Sequence, residues 1–430
     1  MTIELNATHD PARRSWVESA NHPETDFPIQ NLPFGLFESG GRTRGGVALG
    51  DHVIDLSRLL DTGALSGGAA EAAAAASGAT LQPLLECEAI KVSALRAQLS
   101  ELFREGSGMQ QAIGAVLVPM ADVQLLLPLK PAAFTDFCTS YDHIRRMGGG
   151  ATPRLAALSL PVAYNGRASS VRPSGTPVVR PQGQFEAPPG SNAVRFGPEP
   201  MLDFELEFGV WLCGGNRLGE PIAVAEAEAL MFGCCLVNDW SARGIQFFES
   251  VLGPHLGKSF LTTISPWIVT MEALAPFRVA ARGRAEGEPQ ILPYLFDAED
   301  RARGAIDIEL TAELATAAGA RARIVRTNLR ELYWTLAQMV AHQASGGAPL
   351  EAGDLVATGT VSGAAEEARA CLAEITLGGG RPIALPDGTE RTMLEDGDTL
   401  TIRGRATADG YVPIGFGACA GTVEPAGTRS

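Results

Sequence analysis

The chain has 430 residues, of which 45% are hydrophobic and 19% charged, and its formal net charge at pH 7 is -15. This composition is typical of a globular protein with a large core, and the negative charge argues against binding to nucleic acid or an anionic membrane. No apolar run approaches the roughly 18 residues of a membrane span. The seven cysteines show neither paired nor zinc-motif spacing, which predicts reduced thiols in a cytoplasmic protein.

The N-terminal part of the sequence predicts a small β-domain followed by helices. Residues 32–57 show short apolar alternations broken by Gly and Asp, a pattern that predicts hairpins. The alanine-rich segment 62–80 is low in complexity and predicts a surface insertion or a loose helix. Residues 84–104 have helical spacing, and residues 125–131 are interpreted as a linker into the main body.

The C-terminal part predicts a mixed β architecture with few helices. We expect an N-terminal domain over residues 1–131 and a second domain over residues 132–430, where strands and turn signals dominate. Two helices are predicted in the second domain, over 222–235 and over 327–344, the latter with Thr327 or Asn328 as its N-cap. The predicted fold class is mostly β with some α, that is, α+β.

The stretch "DFELEFG", residues 203–209, predicts a strand with three acids on one face. Because side chains alternate along a strand, Asp203, Glu205 and Glu207 would share one face and the apolar residues the other. One explanation is a half-buried strand with a solvated acidic face. The alternative is a cation site, since carboxylates at this spacing repel one another unless a positive charge lies between them.

Four carboxylates from three polar stretches are candidate ligands of a hard cation. They are Asp136, Glu205, Glu207 and Asp239. Oxygen ligands of this kind suit Ca²⁺, Mg²⁺ or Mn²⁺ and, without His or Cys among them, suit zinc poorly. Any one of these acids alone is more often an ordinary surface residue.

The order of the polar stretches resembles the fumarylacetoacetate hydrolase family, in its long two-domain form, over almost the whole chain. The matching strings include "TDFCTSYDH", "LDFELEFGVWLCGG", "NDWSARGIQFFE", "LGKSFLTT", "LVATGTVSG" and "DGDTLTIRGRATADGYVPIGFGACAGTV". The resemblance implies an N-terminal SH3-like β-barrel, a C-terminal β-roll and a homodimer. It also implies hydrolysis of a carbon–carbon bond in a 1,3-dicarbonyl acid, here fumarylacetoacetate to fumarate and acetoacetate, as in tyrosine and phenylalanine catabolism.

The same resemblance implies roles for individual residues. The metal ligands would be Asp136, Glu205, Glu207 and Asp239, and a second cation, usually Mg²⁺, would lie near Asp239, Lys258 and Thr262. His143 matches the general base and Glu374 its carboxylate partner. Oxyanion stabilisation would fall to Arg243, Gln246 and Lys258, and the substrate contacts to Tyr164, Gln246, Thr360, Cys138 and Ser250. A neutral imidazole suits a base near pH 7, and a chelating metal would stabilise the enolate that leaves.

The chain departs from the family pattern where the substrate is held. Cys138 and Ser250 stand where the family has tyrosines, and Asn165 replaces a histidine. The segment after His143 is shorter, so the family's substrate-binding arginine has no clear equivalent; the candidates are Arg145, Arg146 and Arg154.

These departures leave several alternatives open. The same reaction on another acylpyruvate or β-diketone acid is one, and decarboxylation, hydration or isomerisation of an oxo-acid at the same metal is another. A nucleophilic role for Cys138 is a further alternative, against which stands the absence of a nearby group that clearly lowers its pKa. A catalytically silent binding protein is the last, and the presence of His143 and Glu374 weighs against it.

Overall fold

The computed structural model describes residues 4–188 and 190–427, and its N-terminal part combines strands with short helices. The strands are β1 (Phe34–Ser39), β2 (Arg42–Leu49), β3 (His52–Asp55), β4 (Leu117–Pro119) and β5 (Gln124–Leu126). The helices are α1 (Leu56–Asp61), α2 (Gly67–Ala76), α3 (Gln82–Leu85), α4 (Ala89–Phe103) and α5 (Gln110–Ile113). The hairpins predicted over 32–57 are confirmed by the antiparallel pairing of β1 with β2 and of β2 with β3.

The C-terminal part is richer in strands. They are β6 (Phe134–Cys138), β7 (Val162–Asn165), β8 (Val171–Pro173), β9 (Val178–Val179), β10 (Gln182–Glu186), β11 (Val194–Pro198), β12 (Leu202–Asp203), β13 (Leu206–Leu212), β14 (Met231–Asp239), β15 (Ser241–Ala242), β16 (Thr262–Ile264), β17 (Trp267–Thr270), β18 (Arg278–Val279), β19 (Ala305–Ile306), β20 (Ile308–Ala315), β21 (Arg321–Asn328), β22 (Leu355–Ala357), β23 (Ile383–Ala384), β24 (Glu390–Arg391), β25 (Thr399–Ala406) and β26 (Ile414–Glu424). The helices are α6 (Tyr141–Met147), α7 (Leu155–Ser159), α8 (Val224–Ala227), α9 (Arg243–Glu249), α10 (Leu256–Ser259), α11 (Ala298–Arg303), α12 (Leu336–Ala344) and α13 (Leu372–Ile375).

One large mixed sheet runs through both parts of the chain. Its 13 strands follow the main order β4-β3-β2-β1-β17-β14-β13-β22-β6-β7, with β5, β8 and β16 attached at the side. Because β1 pairs with β17, placing Phe34 opposite Ile268, the N-terminal strands continue the sheet that carries β13 and β14. The strand pairing of residues 4–188 and 190–427 contains no closed barrel, so the expected SH3-like barrel is not found as a separate unit.

The central strands are buried on both faces. Phe208 of β13 packs edge-on against Phe416 of β26, in a second sheet ordered β21-β20-β25-β26-β9, while Trp211 of β13 lies in the N-terminal core. Strand β14 is also buried at every position, and its residues from Met231 to Val237 are not charged or polar. The predicted helix over 222–235 is therefore wrong beyond residue 230, because a strand covered on both sides loses the alternation that marks strands.

The predicted helix over 327–344 starts later than expected. Thr327 and Asn328 end strand β21, and helix α12 begins at Leu336 with Thr335 as the N-cap, whose hydroxyl accepts from the Gln338 amide. Asn328 instead caps a short 3-10 turn by accepting from the Arg330 amide. The alternating burial of β20 and its pairing with β21 override the helix propensity of this segment.

The alanine-rich segment is part of the core, which contradicts its interpretation as a surface insertion or loose helix. Four alanines of α2 are fully buried: Ala69, Ala72, Ala73 and Ala76. They belong to the same apolar cluster as Leu95 and Leu99 of α4. Alanine is small enough for two helices to pack closely. Because most residues of α2 are alanines, its sequence shows no contrast between a polar and an apolar face that would indicate which face is buried.

We expect Ala72→Asp to destabilise the protein strongly. An unpaired carboxylate at this fully buried position should lower the free energy of unfolding by about 3 to 5 kcal/mol. Ala74 lies on the same helix but is exposed, so Ala74→Asp is the matched control and should have a much smaller effect. Urea denaturation of both variants measures the difference. Equal midpoints for the two variants would contradict the buried position of α2.

No helix among the described residues is long and apolar enough to cross a membrane.

Candidate active site

The candidate site lies at one end of the central strands. Asp136 lies on β6, Glu207 on β13 and Asp239 at the last position of β14, and β22 connects β6 to β13. Glu205 precedes β13, and its carbonyl accepts a hydrogen bond from the Asp239 amide at 3.2 Å. One carboxylate oxygen from each of these four acids lies within 4.8 Å of the chosen oxygens of the other three, and all four residues are buried.

The stretch 203–209 is not the single strand that its alternation predicts. Strand β12 ends at Asp203 and β13 begins at Leu206, so the backbone leaves the strand conformation at Phe204 and Glu205. Asp203 is not part of the cluster that the other acids form. Its Oδ2 accepts from Arg243 Nε at 2.9 Å, and its two oxygens accept from two backbone amides at the start of α13. The alternative of a solvated acidic face is also wrong, because these acids are buried.

Two of the four carboxylates have positively charged partners. Glu205 forms ion pairs with Arg243, at 2.7 Å, and with Lys258. Asp239 pairs with Lys258 at 2.9 Å and accepts hydrogen bonds from Tyr164, at 2.6 Å, and Thr262, at 2.9 Å. Burial alone would raise the pKa of Glu205, but Lys258 and Arg243 outweigh burial and lower this pKa. Glu205 is therefore ionised.

The other two carboxylates lack such partners. Both oxygens of Glu207 and Oδ1 of Asp136 are buried without a hydrogen-bond donor among the described residues. Burial, and then the neighbouring carboxylates, raise the pKa of Asp136 and of Glu207 well above the usual range. A divalent cation would supply the missing positive charge, and four carboxylates without His or Cys fit Mg²⁺, Ca²⁺ or Mn²⁺.

Lys258 and Thr262, expected beside a second cation, are both engaged with Asp239. Burial would lower the pKa of Lys258, but Asp239 and Glu205 raise it, so the side chain stays charged. An ammonium group has no lone pair for a metal, and Lys258 Nζ acts here as a hydrogen-bond donor.

His143 and Glu374 form a buried pair next to the acids. His143 lies on α6, where the Ser140 hydroxyl caps its amide, and His143 Nδ1 is 2.5 Å from Glu374 Oε1. The Glu374 carboxylate also accepts from Ser362, at 2.6 Å, and from Arg146, at 3.1 Å. Burial would raise the pKa of Glu374, but His143, Ser362 and Arg146 lower it to about 2. A carboxylate at Nδ1 selects the tautomer whose Nε2 is an acceptor.

Replacing Glu374 with glutamine should remove a pH-dependent part of the stability. A carboxyl group whose pKa falls from 4.5 to about 2 on folding stabilises the fold above pH 4.5, by about 3 kcal/mol, and loses this contribution as the pH falls towards 2. The free energies of unfolding of wild type and Glu374→Gln should therefore differ most above pH 4.5. Urea titrations across this range measure the difference. A difference that stays constant on acidification would refute the assignment.

The residues expected to contact the substrate differ in how deeply they are buried. Thr360 is buried and its hydroxyl has no hydrogen-bond partner among the described residues, whereas Ser250 is exposed at the end of α9. Gln246 is partly exposed and accepts from Arg243 at 3.1 Å. Burial and the nearby acids raise the pKa of Cys138 to about 12, which leaves a protonated thiol and argues against a nucleophilic role.

Positioning residues to which the resemblance assigns no role complete the site. Asp203 fixes the Arg243 guanidinium and the start of α13 at the same time. Glu199, also buried, accepts from the amides of Gly244 and Ile245 and so holds the first turn of α9. In the sequence, Asp203 is marked only by its position next to Glu205 and Glu207. From that position it is predicted to share their acidic face, whereas in the structure it binds Arg243.

Family models cover most of the chain. One described as the fumarylacetoacetate (FAA) hydrolase C-terminal domain matches residues 132–424, and one described as the fumarylacetoacetase N-terminal domain matches residues 30–128. Fumarylacetoacetase from Oryza sativa subsp. japonica is 41% identical over 429 residues, covering 96% of this chain and 97% of that protein. The Homo sapiens fumarylacetoacetase is 39% identical over 429 residues, covering 94% of this chain and 97% of its own.

Solved structures share the fold at low sequence identity. A fumarylacetoacetate hydrolase from psychrophilic Exiguobacterium antarcticum superposes with a TM-score of 0.50 at 18% identity, covering 92% of this chain and 99% of its own. A putative HpcE protein from Mycobacterium smegmatis gives a TM-score of 0.51, also at 18% identity, with 91% and 99% coverage. At this identity the likeness concerns the fold alone.

Proposed function

Since the chain belongs to the fumarylacetoacetate hydrolase family, we propose that it hydrolyses the carbon–carbon bond between the two ketones of a 1,3-diketo acid. The substrate is fumarylacetoacetate, which yields fumarate and acetoacetate. The observation that carries the proposal is the His143–Glu374 pair beside four clustered carboxylates, two of which have buried oxygens that accept no hydrogen bond from any described residue.

His143 is the base. Its Nε2 removes a proton from water while its Nδ1–H remains bound to Glu374, and the ionised Glu374 stabilises the imidazolium that forms. The oxygen of the water adds to one ketone carbon, the bond to the neighbouring carbon breaks, and that carbon takes a proton from the imidazolium. Water is thereby divided between the two products, a carboxylic acid and a ketone.

The negative charge that develops on oxygen requires positioned donors. Lys258 Nζ has three N–H groups, and Glu205 and Asp239 accept two of them, which leaves one for the substrate. Arg243 is bound to Asp203, Glu205 and Gln246, so its main effect is to hold these groups in place. The roles of Tyr164 and Thr360 as substrate contacts are part of this proposal.

A divalent cation would be held by Asp136, Glu205, Glu207 and Asp239. When bound, it supplies Lewis acidity towards the ketone oxygens. The donor set supports Mg²⁺, Ca²⁺ or Mn²⁺. We also propose a homodimer in the cytoplasm, a second cation near Thr262, a role in tyrosine and phenylalanine breakdown and a β-roll as the fold of the second domain.

The test is an assay of the purified protein with fumarylacetoacetate and each of the three cations. Loss of the diketone absorbance together with equal amounts of fumarate and acetoacetate would support hydrolysis. Release of carbon dioxide, or a product of unchanged mass, would instead identify a decarboxylase or an isomerase. If no diketo acid is converted with any cation, the proposal fails.

A further inference from the structure

The thiol of Cys371 lies against the His143–Glu374 pair, although the proposed reaction does not use it. Cys371 directly precedes α13, and its Sγ is 3.7 Å from Glu374 Oε1. The same carboxylate oxygen accepts hydrogen bonds from His143 Nδ1, at 2.5 Å, and from the Ser362 hydroxyl, at 2.6 Å. All four residues are buried. An imidazole and a thiol therefore meet at one oxygen of a buried carboxylate.

His143, Cys371 and Glu374 are close enough together to bind one metal ion. A nitrogen, a sulfur and an oxygen, one from each side chain, lie within 4.8 Å of one another. Within residues 4–188 and 190–427, the other group with such spacing consists of the four carboxylates, which offer oxygen alone. Cys371 is thus the one cysteine in the described part of the chain that belongs to a group of this kind.

This donor set favours a different class of cation from the four carboxylates. Imidazole nitrogen, thiolate sulfur and a carboxylate oxygen are ligands of Zn²⁺, whereas Mg²⁺ and Ca²⁺ prefer oxygen alone. Arg146 would not compete with the cation, because it donates to Glu374 Oε2 and leaves Oε1 to the group. Glu374 also lines a cavity of about 550 Å³, through which a small ion can approach.

We infer that Cys371, His143 and Glu374 form an inhibitory zinc site, separate from the site of the catalytic cation. Zn²⁺ accepts an electron pair from the Cys371 sulfur, from His143 Nδ1 and from Glu374 Oε1. The thiol proton is released to water, and the Nδ1 proton moves to Nε2 by way of solvent. An Nε2 atom that carries hydrogen cannot accept a proton from water, so hydrolysis stops. This inhibition rests on the proposed function, whereas the binding of zinc does not.

The binding test uses Co²⁺, which takes the same ligands as Zn²⁺ and whose absorption reports a thiolate ligand. With Mg²⁺ saturating, the wild type should show a sulfur-to-cobalt charge-transfer band that added Zn²⁺ removes. Cys371→Ser and Cys371→Ala should lack the band, and their melting temperatures establish that they are folded. The control Cys87→Ser removes a thiol outside the group and should keep the band. No band in the wild type, or an equal band in the Cys371 variants, would overturn the inference.

The inhibition test follows fumarylacetoacetate with Mg²⁺ saturating and compares each protein with its own activity without zinc. Half inhibition of Cys371→Ser should require about tenfold more Zn²⁺, or higher, than that of the wild type or Cys87→Ser. Equal inhibition of all three proteins that excess Mg²⁺ relieves would place the zinc at the four carboxylates and overturn the inference. If the wild type does not convert the diketone, the proposed function fails, and the cobalt band still decides whether Cys371 binds a metal.

Discussion

Replacing His143 with glutamine should lower kcat by about 10²- to 10⁴-fold, the range that a positioned general base contributes. Glutamine can still form a hydrogen bond to Glu374, but it cannot accept a proton from water. Because the pair is buried and Glu374 keeps the donors Ser362 and Arg146, the fold should survive the change. Steady-state kinetics with saturating cation measures the loss.

The matched control for this prediction is His22→Gln, since His22 is exposed in the N-terminal part of the chain. It should retain wild-type kinetics. Free imidazole added to the His143→Gln enzyme should restore part of the activity if the lost group is a base. A His143→Gln enzyme that keeps most of the wild-type kcat would exclude this residue from the chemical step.

Replacing Glu207 with glutamine should abolish cation binding and lower activity about a hundredfold or more, because an orphaned carboxylate is removed from the ligand set. In the wild type, Mg²⁺, Mn²⁺ or Ca²⁺ at a hundred times its dissociation constant should add about 2.7 kcal/mol to the stability of the fold. The variant should gain nothing from the cation. Thermal unfolding with and without chelator measures both effects, independently of activity.

Without metal, the difference in stability between Glu207→Gln and the wild type should have the opposite sign. Burial and Asp136 raise the pKa of Glu207, so its ionised form destabilises the metal-free fold at neutral pH, and stability should rise as the pH falls through this raised pKa. Metal-free Glu207→Gln should therefore be more stable than the metal-free wild type at pH 7. Glu313→Gln, at an exposed position of β20, is the control and should respond to cations like the wild type. A Glu207→Gln protein that is still stabilised by cations would refute the site.

Residue types and motif order indicated which chemistry to expect and, through the resemblance, the His143–Glu374 pair, but not the partners of Asp203. The four acids and the His143–Glu374 pair come from segments that are far apart, and the two members of the pair are 231 positions apart in the chain. The motifs identified these residues because each motif is a short stretch of consecutive residues. Asp203 shows the limit: strand alternation grouped it with Glu205, yet the break after β12 turns it towards Arg243 and α13.

For the helices and strands, too, some features could be predicted from the sequence and others could not. The hairpins β1–β2–β3 could be predicted because their turns and alternations are local. The start of β14 could not, since burial on both faces removes the alternation. The packing side of α2 could not either, since alanine looks the same in a core and on a surface.

Residue identity and order along the chain identify the family and predict the hard oxygen ligands, the imidazole base and the departures at Cys138 and Ser250. The fold determines that Glu205 is paired with Arg243 and that Arg146 donates to Glu374, whereas the Glu207 carboxylate has no hydrogen-bond donor within residues 4–188 and 190–427. The physical reason is that pairing and desolvation depend on distances of a few ångströms between residues remote in the chain. Neither composition nor spacing records those distances.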